Sequence, residues 1–574
     1  MLPIPVLKYK LLILLLITAE RQLIHDRTAS RTEWDTEYDF IVVGAGTAGC
    51  VVANRLTEDN DINVLLLEAG GPQNAVYHDI PYMSNFIYKD RPDLQWQNYN
   101  EAPVIGGKNT KKAIWEPTGK SIGGSSSHNG KLFNRGNRRD YDIWSNKYGA
   151  KGWSYSKVLP FFKKFENNTD LSLVEANPGY HGTGGPIEVR TQLLRPKALQ
   201  LLEKAYKELG FETTDINGPK QRGMAYLQLY IGMDGFRSSS GNGYVDPNPH
   251  PNNLHIVTKA LVVRILFNGL TAIGVEFSKN DIQYKVYARK EVILSAGAIN
   301  TPKLLMLSGI GIKSHLSEFG IPVLIELPVG NNFFNHPGMN IKSKLTDPDL
   351  YWPYPTFNIA SLSQLYFEGS GLLTEKPQLA LYFNTSDRVD MEWPDGFLCT
   401  VAEGDSLRMS FNYNRPRSVG KIRLQSSDPY SSPRIDSAFL KDPMDFEDAV
   451  NGLEFIFNVL ETTSMAKFVT PPTFESVGCA SCPGKLNYQC KEGLKCYIQK
   501  MVSTTFHPVG GCRMGDRDRD DVVVGPLLRV KYTKNLRVCD NSVIPHIPNA
   551  NTNAVAYMIG EKCSQIIKDY YKNK

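Results

Sequence analysis

The sequence predicts an α/β chain (α+β overall) in which one parallel sheet is assembled from distant segments and a second unit grows from the insertions. Three observations predict it. An apolar, β-branched run at residues 39–43 leads directly into a glycine-rich turn and a helix-like stretch, the pattern of a strand buried on both faces. Similar strand ends recur near positions 290 and 540. The stretches between them are richer in Tyr, Pro and loops.

The N-terminus comes first. Lys8 and Lys10 precede an apolar run at 11–17, followed by Thr18 and Ala19. That run is far short of the roughly 20 residues that cross a bilayer. A basic flank, a short apolar core and a small residue read as a secretory signal over 1–24, which places the protein outside the cell. The sequons at Asn167 and Asn384 agree with that route. No later stretch is apolar enough for a stable membrane span.

Residues 39–43, the turn, a helix over 50–56 and a second strand over 63–67 make a βαβ unit. The turn reads Gly44-x-Gly46-x-x-Gly49. Gly44 permits the tight bend, Gly46 lets a diphosphate approach the backbone, and Gly49 lets helix and strand pack closely. Thr47 and Ala48 then open the helix whose N-terminus faces the anion. Glu68 closes the second strand and can accept both ribose hydroxyls, which argues against a 2′-phosphate and so against NADP. The turn does not separate FAD from NAD.

Residues 291–295 form the next strand, with a helix expected to open near Thr301-Pro302. Residues 536–538 run to Asp540, and a helix over about 552–567 closes the chain. The economical layout is a discontinuous Rossmann-like domain over 36–152, 237–334 and 505–572. A second, β-sheet domain takes 153–236 and 335–504.

Composition bounds the partners. Of 574 residues, 41% are hydrophobic and 21% charged, and 64 basic against 59 acidic side chains leave +5. That excludes a disordered chain, a coiled coil and a multispan membrane protein, and the field is too weak to argue for nucleic acid. Nine cysteines are an odd number, so at least one thiol stays free or pairs between chains. Cys479, Cys482, Cys490 and Cys496 crowd together. Their opening C-x-x-C allows zinc, but one or two disulfides stapling a loop suit an oxidising compartment better, and no metal site is expected. Cys50 and Cys563 lie in apolar helix-like stretches and read as buried thiols.

Two further segments carry a resemblance. Residues 119–130 read Gly-Lys-Ser-Ile-Gly-Gly-Ser-Ser-Ser-His-Asn-Gly, continuing through Asn134-Arg135-Gly136-Asn137. Residues 297–311 read Gly-Ala-Ile-Asn-Thr-Pro-Lys-Leu-Leu-Met-Leu-Ser-Gly-Ile-Gly. Both resemble signature segments of the glucose–methanol–choline oxidoreductases, FAD enzymes that oxidise alcohols. His181-Gly182-x-Gly184-Gly185-Pro186, Pro328-Val329-Gly330-x-Asn332 and His507-Pro508-Val509-Gly510 match as well. The likeness runs from about residue 37 to 570 and is nearest in tone to the secreted, glucose-dehydrogenase-like branch of arthropods.

The resemblance implies FAD in the Rossmann-like domain and substrate in the other. It places Gly123, Gly124, Ser125, Ser126, Asn129 and Gly130 around the flavin and its diphosphate. Adenine would meet the strand near Val262, and Asp540 the ribityl chain or diphosphate. It makes His507 the catalytic base, with Asn551 as its partner. Asn cannot take a proton, so Asn551 would hydrogen-bond the substrate oxygen; capping the last helix is its other reading. The partners implied are a small alcohol and an electron acceptor, oxygen or a quinone.

This chain departs from the family at Gly511 (usually Thr), Asn335 (often Asp), Lys131 (usually apolar) and His128 (usually Leu, Ile or Val). Ser126-Ser127-His128-Asn129 resembles the choline-oxidase branch, whose His here carries FAD covalently; a His merely packed on the ring edge is the alternative. Lys131 either brings a positive charge to the site or points away. A hydroxynitrile lyase with redox-silent flavin and a non-catalytic secreted relative are competing readings. The presence of both His507 and Asn551 argues against the second. The aromatics Tyr351, Trp352, Tyr354, Phe357, Tyr366 and Phe367 would line a substrate wall or fill a core.

Overall fold

The computed structural model describes residues 4–110 and 112–572. The chain opens with helix α1 (Ile4–Thr28), which contains the described part of the expected signal segment. Strand β1 (Glu37–Val43) is buried at every residue after Glu37, as its unbroken apolar run requires. Helix α2 (Thr47–Leu56) follows the glycine turn, and β2 (Val64–Leu67) lies parallel to β1 with Phe40 opposite Val64.

Three later strands complete the parallel layer. Leu254–Val257 flanks β2, and the end of the long strand Ile282–Leu294 flanks β1. Leu536–Val538 pairs beyond it, opposite Val292–Leu294. Two antiparallel strands, Leu261–Asn268 and Thr271–Lys279, hang from the first half of Ile282–Leu294. The last helix, Asn553–Lys572, packs on α2, and its Cα face is close enough that a Cβ on Gly560 would meet Val51 Cβ at 2.8 Å.

A second sheet is antiparallel. It runs Gly223–Tyr226, Gln378–Phe383, Gly396–Glu403, Ser406–Tyr413, Pro337–Leu345, with the short strands Val469–Thr470 and Ser503–Thr504 on its far edge. Side chains alternate between two cores, as the period of two demands. Leu379, Leu381 and Phe383 join helices Lys197–Glu208 and Pro443–Thr462, while Ala380 and Tyr382 face Leu227 and Leu229. The ends of Pro337–Leu345 and Ser503–Thr504 carry Asn335-His336 and Thr505-Phe506-His507 toward the first sheet.

Two expectations shift. The helix expected near Thr301-Pro302 begins at Gly297 and contains Pro302. Asp540 explains the earlier start: its Oδ2 accepts from the Gly297 amide at 2.9 Å and from Thr301 Oγ1 at 2.6 Å, a carboxylate at a helix N-terminus. Cys563 is not a thiol. The strand Leu536–Val538 ends beside the last helix, so Cys539 and Cys563 form a disulfide that no local pattern marks.

The crowded cysteines pair as Cys479–Cys496 and Cys482–Cys490, which is the disulfide rather than the zinc arrangement. Cys50, Cys399 and Cys512 remain as buried thiols. Titration of denatured, unreduced protein with a chromogenic thiol reagent should therefore find three thiols of the nine cysteines. Finding five would show that one of the three bonds is not made, and peptide mapping of the labelled thiols would say whether it is Cys539–Cys563.

Candidate active site

A cavity of about 400 Å³ opens at the carboxyl ends of the parallel strands, the crevice where such sheets bind ligands. Gly44, Gly46, Thr47, Ala48, Glu68, Gly124, Ser125, His128, Asn129, Gly130, Val262, His507, Asp540 and Asn551 all line it. Gly49, Gly123 and Ser126 do not. A Cβ on Gly49 would fall 1.8 Å from Gly44 O, so this glycine serves the packing of α2 on the turn. Gly123 bends at φ +85° and donates to Ala45 O at 2.8 Å, and Ser126 Oγ closes back on Gly123 O at 2.7 Å. These two shape the loop instead of facing the cavity.

Gly46 tests whether a dinucleotide fits. A Cβ there would meet nothing closer than Ser295 O at 4.0 Å, so packing within the protein does not require glycine. Close approach of a ligand does. Gly46 is also the N-cap of α2 and supplies no side-chain cap, which leaves the first amides of the helix open to an anion. Glu68 stands beside them. Its Oε2 accepts from Ala45 N at 2.8 Å and Oε1 from Gly70 N at 2.7 Å, while burial pushes its pKa up to about 7. Each oxygen keeps a lone pair for a ribose hydroxyl. The residues present fit a dinucleotide.

At the other end of the cavity His507 meets Asn551. Thr505 Oγ1 donates to His336 O at 3.2 Å and so accepts from His507 Nδ1 at 2.9 Å. His336 Nδ1 lies 3.0 Å from the same His507 nitrogen. This arrangement puts the His507 proton on Nδ1 and leaves Nε2 bare. Asn551 Nδ2 donates to that nitrogen at 2.9 Å, while its Oδ1 accepts from Asn134 Nδ2 at 3.3 Å. Both ends of the Asn551 amide are thereby engaged away from the last helix. Burial holds the His507 imidazole neutral, with its pKa lowered to about 3. His507 N–H is anchored on Asn335 Oδ1 at 3.0 Å, and Asn335 Nδ2 on the buried Glu116 at 2.8 Å.

The departures acquire physical reasons. Gly511 bends at φ +94°, and a Cβ would meet Pro302 Cγ at 2.7 Å, so threonine does not fit this backbone. Lys131, at φ +66°, turns its Nζ to Pro81 O (2.9 Å) and Ser84 Oγ (3.1 Å), which ties the 119–131 loop to the 81–85 turn. Burial pushes its pKa well below the usual lysine range. Tyr351, Tyr354, Phe357 and Phe367 are exposed and do not line the cavity; its aromatic lining is Tyr88, Trp96 and Phe506. Tyr88 and Phe506 stack with centroids 6.2 Å apart.

His336, Thr505 and Asn134 were given no role by sequence reasoning, nor was Arg237, which donates to Ser126 O at 3.1 Å and Asn129 Oδ1 at 2.9 Å. Asn134 lies inside the segment quoted for the resemblance, and Thr505 sits two residues before His507. Those were the available signals.

A glycine-rich turn with its acidic partner, sharing one cavity with a bare imidazole nitrogen, defines a nucleotide-cofactor enzyme. Two profiles of the GMC oxidoreductase family match residues 38–338 and 416–560, and the chain belongs to that family. Glucose dehydrogenase [FAD, quinone] of Drosophila melanogaster is 35% identical over 565 residues, covering 94% of this chain and 88% of that one. The oxygen-dependent choline dehydrogenase of Chromohalobacter salexigens is 34% identical over 559 residues, with 93% and 95% covered. A solved formate oxidase superposes with a TM-score of 0.83 at 25% identity, over 94% of this chain and 100% of that one. The protein is an FAD-dependent oxidoreductase acting on the CH–OH group of alcohol donors.

Proposed function

We propose that the enzyme oxidises a small alcohol, of the sugar or aryl type, with His507 as the base. The observation that carries this reading is the unprotonated Nε2 of His507 in the cavity, set by Thr505 Oγ1 accepting from its other nitrogen. The substrate hydroxyl gives its proton to that Nε2. Asn551 Nδ2, released from the histidine, donates to the substrate oxygen and fixes its position. Bound FAD supplies the acceptor for the hydride that leaves the same carbon. Tyr88, Trp96 and Phe506 offer flat apolar faces to the carbon skeleton.

The parallel layer over 36–152, 237–334 and 505–572 is read as the FAD-binding domain, and 153–236 with 335–504 as the substrate domain. The relatives are named for quinone and for oxygen, so a substrate screen should read dye reduction against peroxide. We read the protein as secreted, on the basic and apolar residues 8–19 and the half-buried sequons Asn167 and Asn384. No helix among the described residues is long and apolar enough to cross a membrane.

His507→Ala should keep FAD bound but slow anaerobic flavin reduction by about 10²–10⁴, the share of a positioned base. That is about 3–5 kcal/mol of barrier. Asn551→Ala should cost less, since it removes one hydrogen bond and no proton acceptor. A native rate in the His507 variant would refute the assignment.

The pH profile offers a second check. A base must be unprotonated, so a lowered pKa moves the loss of rate to lower pH. With His507 near 3, flavin reduction in stopped flow should hold its rate from pH 8 down to 5. An acid limb centred near the ordinary histidine value of about 6.5 would contradict this environment.

His128 lines the cavity, and burial lowers the pKa of its ring to about 3. A neutral imidazole beside the cofactor space supports covalent attachment there. After acid precipitation the yellow colour should stay with the pellet, and His128→Ala should release it. Colour in the supernatant of the native protein would leave His128 a ring-edge neighbour.

A further inference from the structure

Helix α1 is inverted along its length. Leu11, Leu12, Leu15 and Leu16 face water, while the polar residues of its second half are docked on the body. Thr18, Arg21, Gln22, His25 and Thr28 share one face, at the spacing of a helix. Arg21 Nε donates to Asp79 Oδ2 at 3.0 Å, with its guanidinium 3.9 Å from the centre of the Phe236 ring. Gln22 bonds Gln73 O at 3.3 Å and the Ala75 amide at 3.0 Å.

His25 is the centre of this face. It is buried, with Nε2 at 2.9 Å from Asp79 Oδ2 and Nδ1 bonded to Asp246 Oδ2. Thr28 Oγ1 donates to the other Asp246 oxygen at 2.7 Å. Both carboxylates are fully buried. Without His25, Asp246 would keep only a hydroxyl, and a buried carboxylate without a cation is strongly destabilising.

Both carboxylates lead to the cofactor loop. The Asp79 carbonyl accepts from Arg237 N at 2.9 Å, and the Arg237 guanidinium grips Ser126 O and Asn129. Asp246 ends the turn Gly241–Val245, and its amide bonds Gly241 O at 2.9 Å. Just before that turn, Ser240 N donates to Ser126 Oγ at 3.0 Å. Gln73, under Gln22, accepts from Ser127 Oγ at 3.1 Å. Three routes thus run from one face of α1 to residues 126–129.

We propose that residues 21–28 are a strap retained on the working enzyme, and that His25 is a positioning residue that seats the cofactor loop through Asp79 and Asp246. The apolar half before Thr18-Ala19 is then the removable leader, and the boundary falls upstream of Arg21 instead of after residue 24. The leader half rests on the secretory reading; the strap does not.

Two measurements on the enzyme from a secretory host decide this. N-terminal sequencing should find Arg21 still on the chain, and a start downstream of Arg21 overturns the strap. A chain that keeps Met1 would sink the secretory reading alone. Hydrogen exchange on the holoenzyme then tests His25. His25→Ala should speed exchange at 123–131 at least about tenfold while leaving β1 unchanged, a local rather than global opening. Adding Asp246→Asn removes the stranded charge and should restore most of the protection, which also provides a folded variant. Native exchange in His25→Ala, uniform acceleration across β1 and the loop, or no rescue by Asp246→Asn would overturn the role of His25.

Discussion

The structure depends on a place where backbones meet with no room for side chains. A Cβ on Gly44 would stand 2.6 Å from Ser295 O, one on Gly70 2.0 Å from Lys120 O, and one on Gly124 2.7 Å from Gly46 Cα. The turn after β1, the end of β2, the end of Ile282–Leu294 and the 119–124 loop therefore converge at backbone contact. Protein interiors resist such intrusion because they are already close-packed. The convergence places the open amides of α2, the Glu68 carboxylate and the 119–131 loop around one cavity, and it ties the sheet order to that cavity.

The second constraint is the burial of imidazoles. His507, His336 and His128 all have pKa values pushed below the ordinary range, chiefly by desolvation. A neutral histidine next to a hydroxyl is a base; a charged one is not. Thr505 fixes which nitrogen carries the proton, as the third member of a catalytic triad fixes its histidine, and His336 packs against the same nitrogen. Both arrive on the edge of the antiparallel sheet, through Ser503–Thr504 and Pro337–Leu345. The second sheet thus contributes orientation to the site.

What was legible in the sequence was whatever is local. Glu37 to Glu68 is one strand–turn–helix–strand unit, so residue type and spacing reveal its fold and its ligand chemistry together. The distant strand at 291–295 was legible from its apolar Val292-Ile293-Leu294 run, the mark of a strand buried on both faces, whereas 536–538 holds at its centre Arg537, which is buried against Glu291. The Cys539–Cys563 bond was not, because it joins a strand end to a helix by packing alone. The residues that orient the site were hidden for the same reason. Asn134 reaches Asn551 across 417 positions and His336 reaches His507 across 171, distances over which no periodicity carries information. Of the aromatic run at 351–367, Trp352 and Tyr366 pack against cores while Tyr354 and Phe357 lie exposed, and the cavity draws Tyr88, Trp96 and Phe506 from elsewhere.

The central claim is the protonation geometry of His507, and nitrogen-15 NMR of the histidine-labelled holoenzyme reads it directly. At pH 7 the His507 ring, assigned by its loss in His507→Gln, should appear as the neutral tautomer with hydrogen on Nδ1 and a bare Nε2. An imidazolium, or the tautomer with hydrogen on Nε2, would contradict the account, because neither leaves a lone pair in the cavity to take a hydroxyl proton.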